Sequence, residues 1–365
     1  MGFSLGIVGL PNVGKSTLFN ALSCAGAEVS NYPFCTKSKN LGVVPVPDDR
    51  LEKVREFMKS PKAIPTVIEF VDIAGLVKNA HKGEGLGNQF LSYIREVDAI
   101  AHVVRCFPDP NITHVEGMVN PKRDIEIVNL ELNLADLGTV EKRLQILKSG
   151  VKTGKKEILK ELEAAEKVRA HLNEGKPLRL LDLSEDEKKE IGELHLLTIK
   201  PMFYIANVDE NQMSNTNDPC LKAVYEVASI EKAEVIPICA KLESDIRELP
   251  EEEAKEYEKE TGINELGLDK LIKKGYEMLG LVTFFTANNK EARAWTVKGG
   301  SKAPRAAGRV HTDIERGFIS AEVIHYQDML KFNSHTEAKE KGSTHLEGKD
   351  YVVKDGDLVY FRFNV

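Results

Sequence analysis

The stretch with the clearest chemical potential is Gly9-Leu10-Pro11-Asn12-Val13-Gly14-Lys15-Ser16, followed by Thr17. It reads G-x-x-x-x-G-K-S, the spacing of a phosphate-binding loop. Gly9 and Gly14 let the backbone turn and come close to an anion. The backbone of Asn12, Val13, Gly14, Lys15, Ser16 and Thr17 then faces phosphate oxygens at the N-terminus of a helix. Lys15 reaches the outer phosphates, and the Ser16 hydroxyl is a hard oxygen ligand suited to Mg2+. The flanks agree: Phe3–Val8 is apolar enough for a buried strand, and Thr17–Leu22 has helical spacing.

Three more places extend this chemistry. The apolar run Thr66–Val71 ends in Asp72-Ile73-Ala74-Gly75, the arrangement of a Walker B strand followed by a switch. Asp72 is expected to support Mg2+ or its water, and Gly75 to offer its N–H to a γ-phosphate. Thr36 lies in the turn-rich stretch from Ala27 to Asn40, where its hydroxyl can complete the metal shell once a triphosphate is bound. Asn207-Val208-Asp209-Glu210 stands where guanine readers carry N-K-x-D. Val208 lacks the lysine stem that packs on the base, and Glu210 is one methylene longer than the usual aspartate. Cys239-Ala240-Lys241 resembles a base-flanking S-A-K. Leu76 stands where a water-positioning glutamine is expected, and leucine cannot hydrogen-bond. Another polar group must therefore orient water. His114, in the polar loop Phe107–Gly117, is the candidate, with a hydrogen bond inside its own segment as the rival role. His81 reads as an exposed loop histidine.

The elements that position these residues alternate. Strands are expected at Leu41–Val46, Ala99–Arg105, Met202–Ala206 and Val235–Ile238, and a helix at Arg50–Met58. From Asp124 the pattern changes: Ile127, Leu130, Leu134, Leu137, Val140, Leu144 and Leu147 recur at three- and four-residue steps. It resumes from Ile158 to Leu172, so a helical hairpin interrupts an α/β domain. Its tip carries Lys142, Arg143, Lys148, Lys152, Lys155, Lys156 and Lys160, a surface suited to RNA or simply a solvated face. Helical spacing from Leu268 to Leu279 closes the α/β domain. Beyond Leu281 short strands flank Asn288-Asn289, and Tyr351–Val353 and Leu358–Phe361 end a small β-rich domain.

A chain of 365 residues needs more than one core. A net charge of −7 argues against wholesale polyanion binding but leaves room for a local basic surface. The five cysteines form no C-x-x-C pair, so neither zinc nor a disulfide framework is expected, and a reducing cytoplasm is. The first strand starts too early to leave room for a signal peptide, and no apolar run is long enough to span a bilayer.

Taken together, G-L-P-N-V-G-K-S-T, N-V-D-E, K-G-E-G-L-G, R-A-W-T and V-K-D-G-D resemble the YchF, or Obg-like ATPase, family of translation-factor-class P-loop NTPases over essentially the full chain. The resemblance implies a P-loop domain (1–120 and 199–279), an inserted α-helical hairpin domain (121–198) and a C-terminal TGS domain of β-grasp fold (280–365). It also implies ATP preferred over GTP, a Mg2+ requirement and association with the ribosome. The family motif carries a histidine, implicated in hydrolysis, that Asn111-Ile112-Thr113-His114-Val115 matches. Two stretches depart from it: Thr36-Lys37-Ser38-Lys39-Asn40 replaces T-I-E-P-N, and Asn79-Ala80-His81 replaces G-A-S. The expectation is a monomeric, Mg2+-dependent ATPase that switches on the ribosome, without membrane or sequence-specific DNA partners. The alternatives are a nucleotide-gated ribosome- or RNA-binding module with negligible turnover, and an ordinary GTPase.

Overall fold

The computed structural model describes residues 3–25, 40–73, 86–150, 156–213, 215, 217–250, 252–254, 256–257 and 266–364. Thr36, Gly75, Leu76, His81, Lys152 and Lys155 lie outside the described residues. Two units are distinguished: Met1–Val44 with Glu69–Lys270, and Pro45–Ile68 with Leu271–Val365.

The first unit is built on a six-stranded sheet. Its strands are β1 (Ser4–Val8), β2 (Leu41–Pro45), β4 (Val67–Asp72), β5 (Ala99–Arg105), β6 (Met202–Asn207) and β7 (Val235–Ile238), with β3 (Ala63–Ile64) belonging to a second sheet. The order is β2-β4-β1-β5-β6-β7, and β4, β1, β5, β6 and β7 pair in parallel. Parallel strands covered on both faces must be apolar throughout, and β5 and β6 are buried at every position. The register sets Ile7 opposite Asp72, Val8 opposite His102, and Arg105 opposite Asn207, which faces Ile238. The carboxyl ends of these strands thus share one edge, where ligands of open α/β sheets bind.

Helices α1 (Lys15–Ala25), α2 (Asp49–Met58), α3 (Leu86–Glu96), α4 (Pro121–Gly150) and α5 (Lys156–Asn173) follow in chain order. Together α4 and α5 make the expected hairpin. Val140, Leu144 and Leu147 pack with Ala164, Ala165, Val168 and Leu172, and the core extends through Leu178, Leu183, Ile191 and Leu196. At its base the buried Asp136 carboxylate accepts hydrogen bonds from the Leu197 and Thr198 amides and the Thr198 hydroxyl. Of the basic tip, Arg143 pairs with Glu161 and Lys148 with Glu166. Those two charges are therefore partly neutralised within the hairpin itself.

The second unit holds a sheet of order β11-β10-β12-β8-β9-β3. Strands β8 (Leu281–Ala287) and β9 (Ala292–Lys298) form an antiparallel hairpin around the expected Asn288-Asn289 turn. The Asn288 side chain accepts from the Lys290 and Glu291 amides and so fixes the turn. Strands β10 (Phe318–Ile324), β11 (His345–Glu347) and β12 (Leu358–Phe363) complete it, with β12 parallel to β8 and antiparallel to β10. The helix Ala303–Val310 packs Ala303, Ala306 and Ala307 against Phe284, Val323 and Phe361 on one face, the β-grasp arrangement. Tyr351–Val353 forms no regular strand: only Val352 bridges, to Lys302, because Asp357 draws the Tyr351 hydroxyl and the Lys354 amide into a turn.

One grouping differs from the expected domain boundaries. Pro45–Ile68, assigned from the sequence to the P-loop domain, belongs to the second unit. Leu51, Val54 and Phe57 of α2 fill the other face of that sheet with Phe285, Ala294, Ile324 and Leu358. Burying three such side chains is worth about 1.5–3 kcal/mol each. The segment's helical periodicity was visible in the sequence, but periodicity does not name the surface that the apolar face meets.

Candidate nucleotide-binding site

The phosphate loop joins β1 to α1, and its backbone is the unusual one the glycines forecast. Gly9 has φ +153° and Gly14 φ +96°, and Asn12 takes a left-handed φ of 62°. A Cβ on Gly9 would stand 2.5 Å from the Val103 carbonyl oxygen, and one on Gly14 2.1 Å from Asn207 Nδ2. Both positions therefore exclude any side chain.

Lys15 is 7% exposed, and its Nζ donates to the carbonyl oxygens of Gly9 at 3.1 Å and Leu10 at 2.7 Å. Burial pushes its pKa down to about 8, with the Asp72 carboxylate partly offsetting this. The ammonium thus rests on dipoles of the loop it is expected to serve. Burial raises the Asp72 pKa, and Lys15 opposes that shift. Among the described residues, Asp72 Oδ1 is buried without a hydrogen-bond partner. A buried carboxylate oxygen lacking a donor suits a cation or a cation's water. Ser16 is exposed and lines the cleft. The pair fits Mg2+, with Ser16 supplying a hydroxyl and Asp72 a charge.

The cleft has a volume of ≈ 730 Å3. Asn12, Gly14, Lys15, Ser16 and Thr17 line its phosphate end, and Asn207, Val208, Asp209, Glu210, Cys239, Ala240 and Lys241 its far end. Val13 is buried and contributes backbone: its carbonyl accepts from Asn207 Nδ2 at 2.9 Å. Asn207 Oδ1 in turn accepts from the Ala240 amide at 3.1 Å. One side chain thus ties the phosphate loop to both base-end turns. Val208 is buried on β6's exit, while Glu210 opens a four-residue helix, Glu210–Met213, as an exposed wall residue.

Phe107, Pro108, Asp109 and Ile112 form another wall that the sequence reading did not assign to the site. The fully buried Arg105 holds them: its guanidinium donates to the carbonyls of Phe107, Asp109 and Ile112 and lies 4.5 Å from the Phe107 ring centroid. An arginine ending a fully buried strand, with an aromatic two residues on, was the available signal.

His114 is on this loop but not on the cleft wall. Its side chain is 2% exposed, and Nε2 meets Asp124 Oδ2 at 2.8 Å. The Glu116 amide donates to Nδ1 at 3.1 Å, so the hydrogen bonds assign the proton to Nε2, donating to Asp124. Both ring nitrogens are engaged, Nδ1 within the loop, as in the rival role, and Nε2 by Asp124 of α4. Asn12 Nδ2 donates to the Thr113 carbonyl at 3.0 Å and links this loop to the phosphate loop.

The sequence comparisons agree with this geometry. A family model described as 50S ribosome-binding GTPase matches residues 4–147. A second, YchF-GTPase_C, described as a protein of unknown function, matches residues 281–364. The chain is 53% identical over 366 residues to the protein named ribosome-binding ATPase YchF of Bacillus subtilis, covering 100% of both. The chain belongs to the YchF family. The Escherichia coli O157:H7 YchF is likewise 53% identical over 365 residues, covering 100% of both. A solved structure, the Schizosaccharomyces pombe YchF GTPase, superposes with TM-score 0.89 at 37% identity, covering 99% of this chain and 98% of that one. The YchF fold, a P-loop domain with a helical insertion and a C-terminal β-grasp domain, is thus the fold of this chain. Among the described residues no helix is long and apolar enough to cross a membrane.

Proposed function

We propose that this chain is a Mg2+-dependent ATPase that prefers ATP to GTP and whose nucleotide state controls its binding to the ribosome. The carrying observation is the cleft: a filled phosphate loop with a buried lysine at one end and Val208 and Glu210, in place of Lys and Asp, at the other. Names of relatives at 53% identity, ribosome-binding ATPases, support the activity and the partner.

In this reading the amides of Asn12 to Thr17 and the Lys15 ammonium bind the phosphates and take up charge as water attacks the γ-phosphorus in line. Lys15 leaves the carbonyls of Gly9 and Leu10 to do so. Ser16, Asp72 and Thr36 would hold Mg2+, which would supply electrostatic neutralisation of phosphate charge. Gly75 would offer its N–H to the γ-phosphate. Phe107 offers the base a flat apolar surface, and Asn207 and Val208 line the base end, although the Asn207 carbonyl already accepts from the Cys106 amide and the Val208 amide donates to the Ile238 carbonyl. His114 orients or deprotonates water only after leaving Asp124.

That last point favours a second reading, a nucleotide-gated binding module with little turnover on its own. Its basis is the double engagement of the His114 ring. Phosphate release at saturating ATP and Mg2+, with and without ribosomes, separates the two readings. Appreciable release by the protein alone supports the ATPase, and none under either condition supports the module. Competition between ATP and GTP analogues tests base preference, and much tighter GTP binding would overturn it.

A further inference from the structure

Two strands of the nucleotide-binding unit, β2 and β4, are joined through Pro45–Ile68, which belongs to the other unit. At one end of this strand pair the Asp72 amide donates to the Asn40 carbonyl at 3.0 Å; at the other the Val46 amide donates to the Thr66 carbonyl at 2.8 Å. Asp72, the carboxylate suited to Mg2+, is therefore a few residues along one strand from where the chain changes unit.

The segment is not a loose linker. Arg50 bridges Asp48 at 2.8 Å and Asp355 at 2.6 Å, and its guanidinium carbon lies 5.7 Å from the Phe285 ring centroid. The Ser60 hydroxyl donates to the Asn288 carbonyl at 2.6 Å, and the Ala292 amide donates to the Lys62 carbonyl at 2.8 Å. Strand β3 pairs in parallel with β9, and the hydroxyls of Thr66 and Thr296 bond at 2.6 Å. Side chains of α2 complete the core beneath β8, β9, β10 and β12. Both backbone and core tie Pro45–Ile68 to the β-grasp sheet.

We infer that Pro45–Ile68 is a tether through which occupancy of the nucleotide site changes the local stability of the C-terminal β-grasp sheet, and through which loosening that sheet changes nucleotide affinity. This rests on the nucleotide-binding reading above. A ligand that draws on Asp72 loads the β2–β4 pair, and the load reaches a segment that is itself part of the second sheet. Coupling of binding free energies is reciprocal, so the effect must run both ways.

The test is amide hydrogen exchange on the full chain, with and without a non-hydrolysable ATP analogue and Mg2+. The tether predicts that protection over 281–298 changes by about fivefold or more, the lower end of ordinary coupling. The double substitution Arg50→Ala with Ser60→Ala should abolish that response while peptides of the phosphate loop still respond. Ser60→Ala alone, a milder loss of one hydrogen bond, should reduce it, which keeps the test open if the double variant folds poorly. A wild type whose phosphate loop gains protection while 281–298 is unchanged overturns the tether and leaves nucleotide binding standing. An undiminished response in a folded double variant also overturns it. No response at the phosphate loop would instead overturn the nucleotide-binding reading on which the tether rests.

Discussion

The phosphate loop and the loop from Phe107 to Gly117 face the same chemistry in opposite conditions. In the first, the backbone is already wound as an anion cradle and Lys15 waits within it on two carbonyls. In the second, the one candidate for activating water is buried and held at both nitrogens. The phosphate-loop backbone is preorganised, whereas the histidine proposed to act on water is held by other partners. Under the proposed function, an enzyme arranged so would hold its substrate readily and turn it over only when another event moves the second loop. Asn12, donating to Thr113, is the described side-chain hydrogen bond joining the two.

The strongest challenge to the cradle is Lys15→Ala. Turnover should fall about 10²–10³-fold, the usual cost of removing one preorganised charge donor, while the fold persists. Full ATPase activity in a phosphate-release assay would show that the cradle is not the site.

The base end comes next. Val208→Lys with Glu210→Asp should shift preference toward GTP by about ten- to a hundredfold, since each restored charged hydrogen bond is worth about 1.5–3 kcal/mol. Parallel calorimetric titrations with ATP and GTP analogues measure this, and an unaltered ratio would remove these positions from base selection.

The stored histidine is tested by His114→Ala and Asp124→Ala. His114→Ala should lower turnover and leave ATP affinity within about twofold, because the ring is off the cleft wall. Asp124→Ala should cost about 1–3 kcal/mol in denaturant unfolding, since it orphans the buried Nε2–H donor. Equal loss of affinity and turnover in His114→Ala would make the histidine a folding residue only.

The smallest effect is a proton. With the Lys15 pKa near 8, the free ammonium is mostly lost at pH 8.5, and a bound polyanion favours the charged form. Nucleotide binding should then take up about 0.7 proton at pH 8.5 and almost none at pH 7. Affinity is fully present below about 8 and declines as pH rises through that value. Calorimetry in buffers of different ionisation enthalpy reads the uptake directly. Zero uptake at pH 8.5 would place the Lys15 titration elsewhere.

The two loops also differ in how far their sequence could be read. Gly9, Gly14 and Lys15 act through backbone geometry and charge at fixed spacing, so their roles are visible in one dimension. His114 was visible as a polar residue after a buried strand, but its partner Asp124 is the start of α4's pattern and carries no signal of pairing. Phe107 and Arg105 left only a faint signal, an arginine ending the strand and an aromatic two residues on, because Arg105 acts through loop carbonyls whose positions no spacing rule encodes. The alternating elements of the main sheet and the hairpin were legible from periodicity. The allegiance of Pro45–Ile68 was not, because an amphipathic helix records that it has an apolar face and not what covers it.

That allegiance also sets an order in time. Leu51, Val54 and Phe57 emerge early in synthesis, yet their partners Phe285, Ile324 and Leu358 emerge last. At ordinary elongation rates the α2 face waits roughly 15–60 s for its sheet. Through that interval the nascent chain carries an uncovered apolar helix between two strands that are already able to pair, so chaperone capture and premature aggregation compete with correct closure. Chain release before β8 would leave the same face without the sheet that covers it.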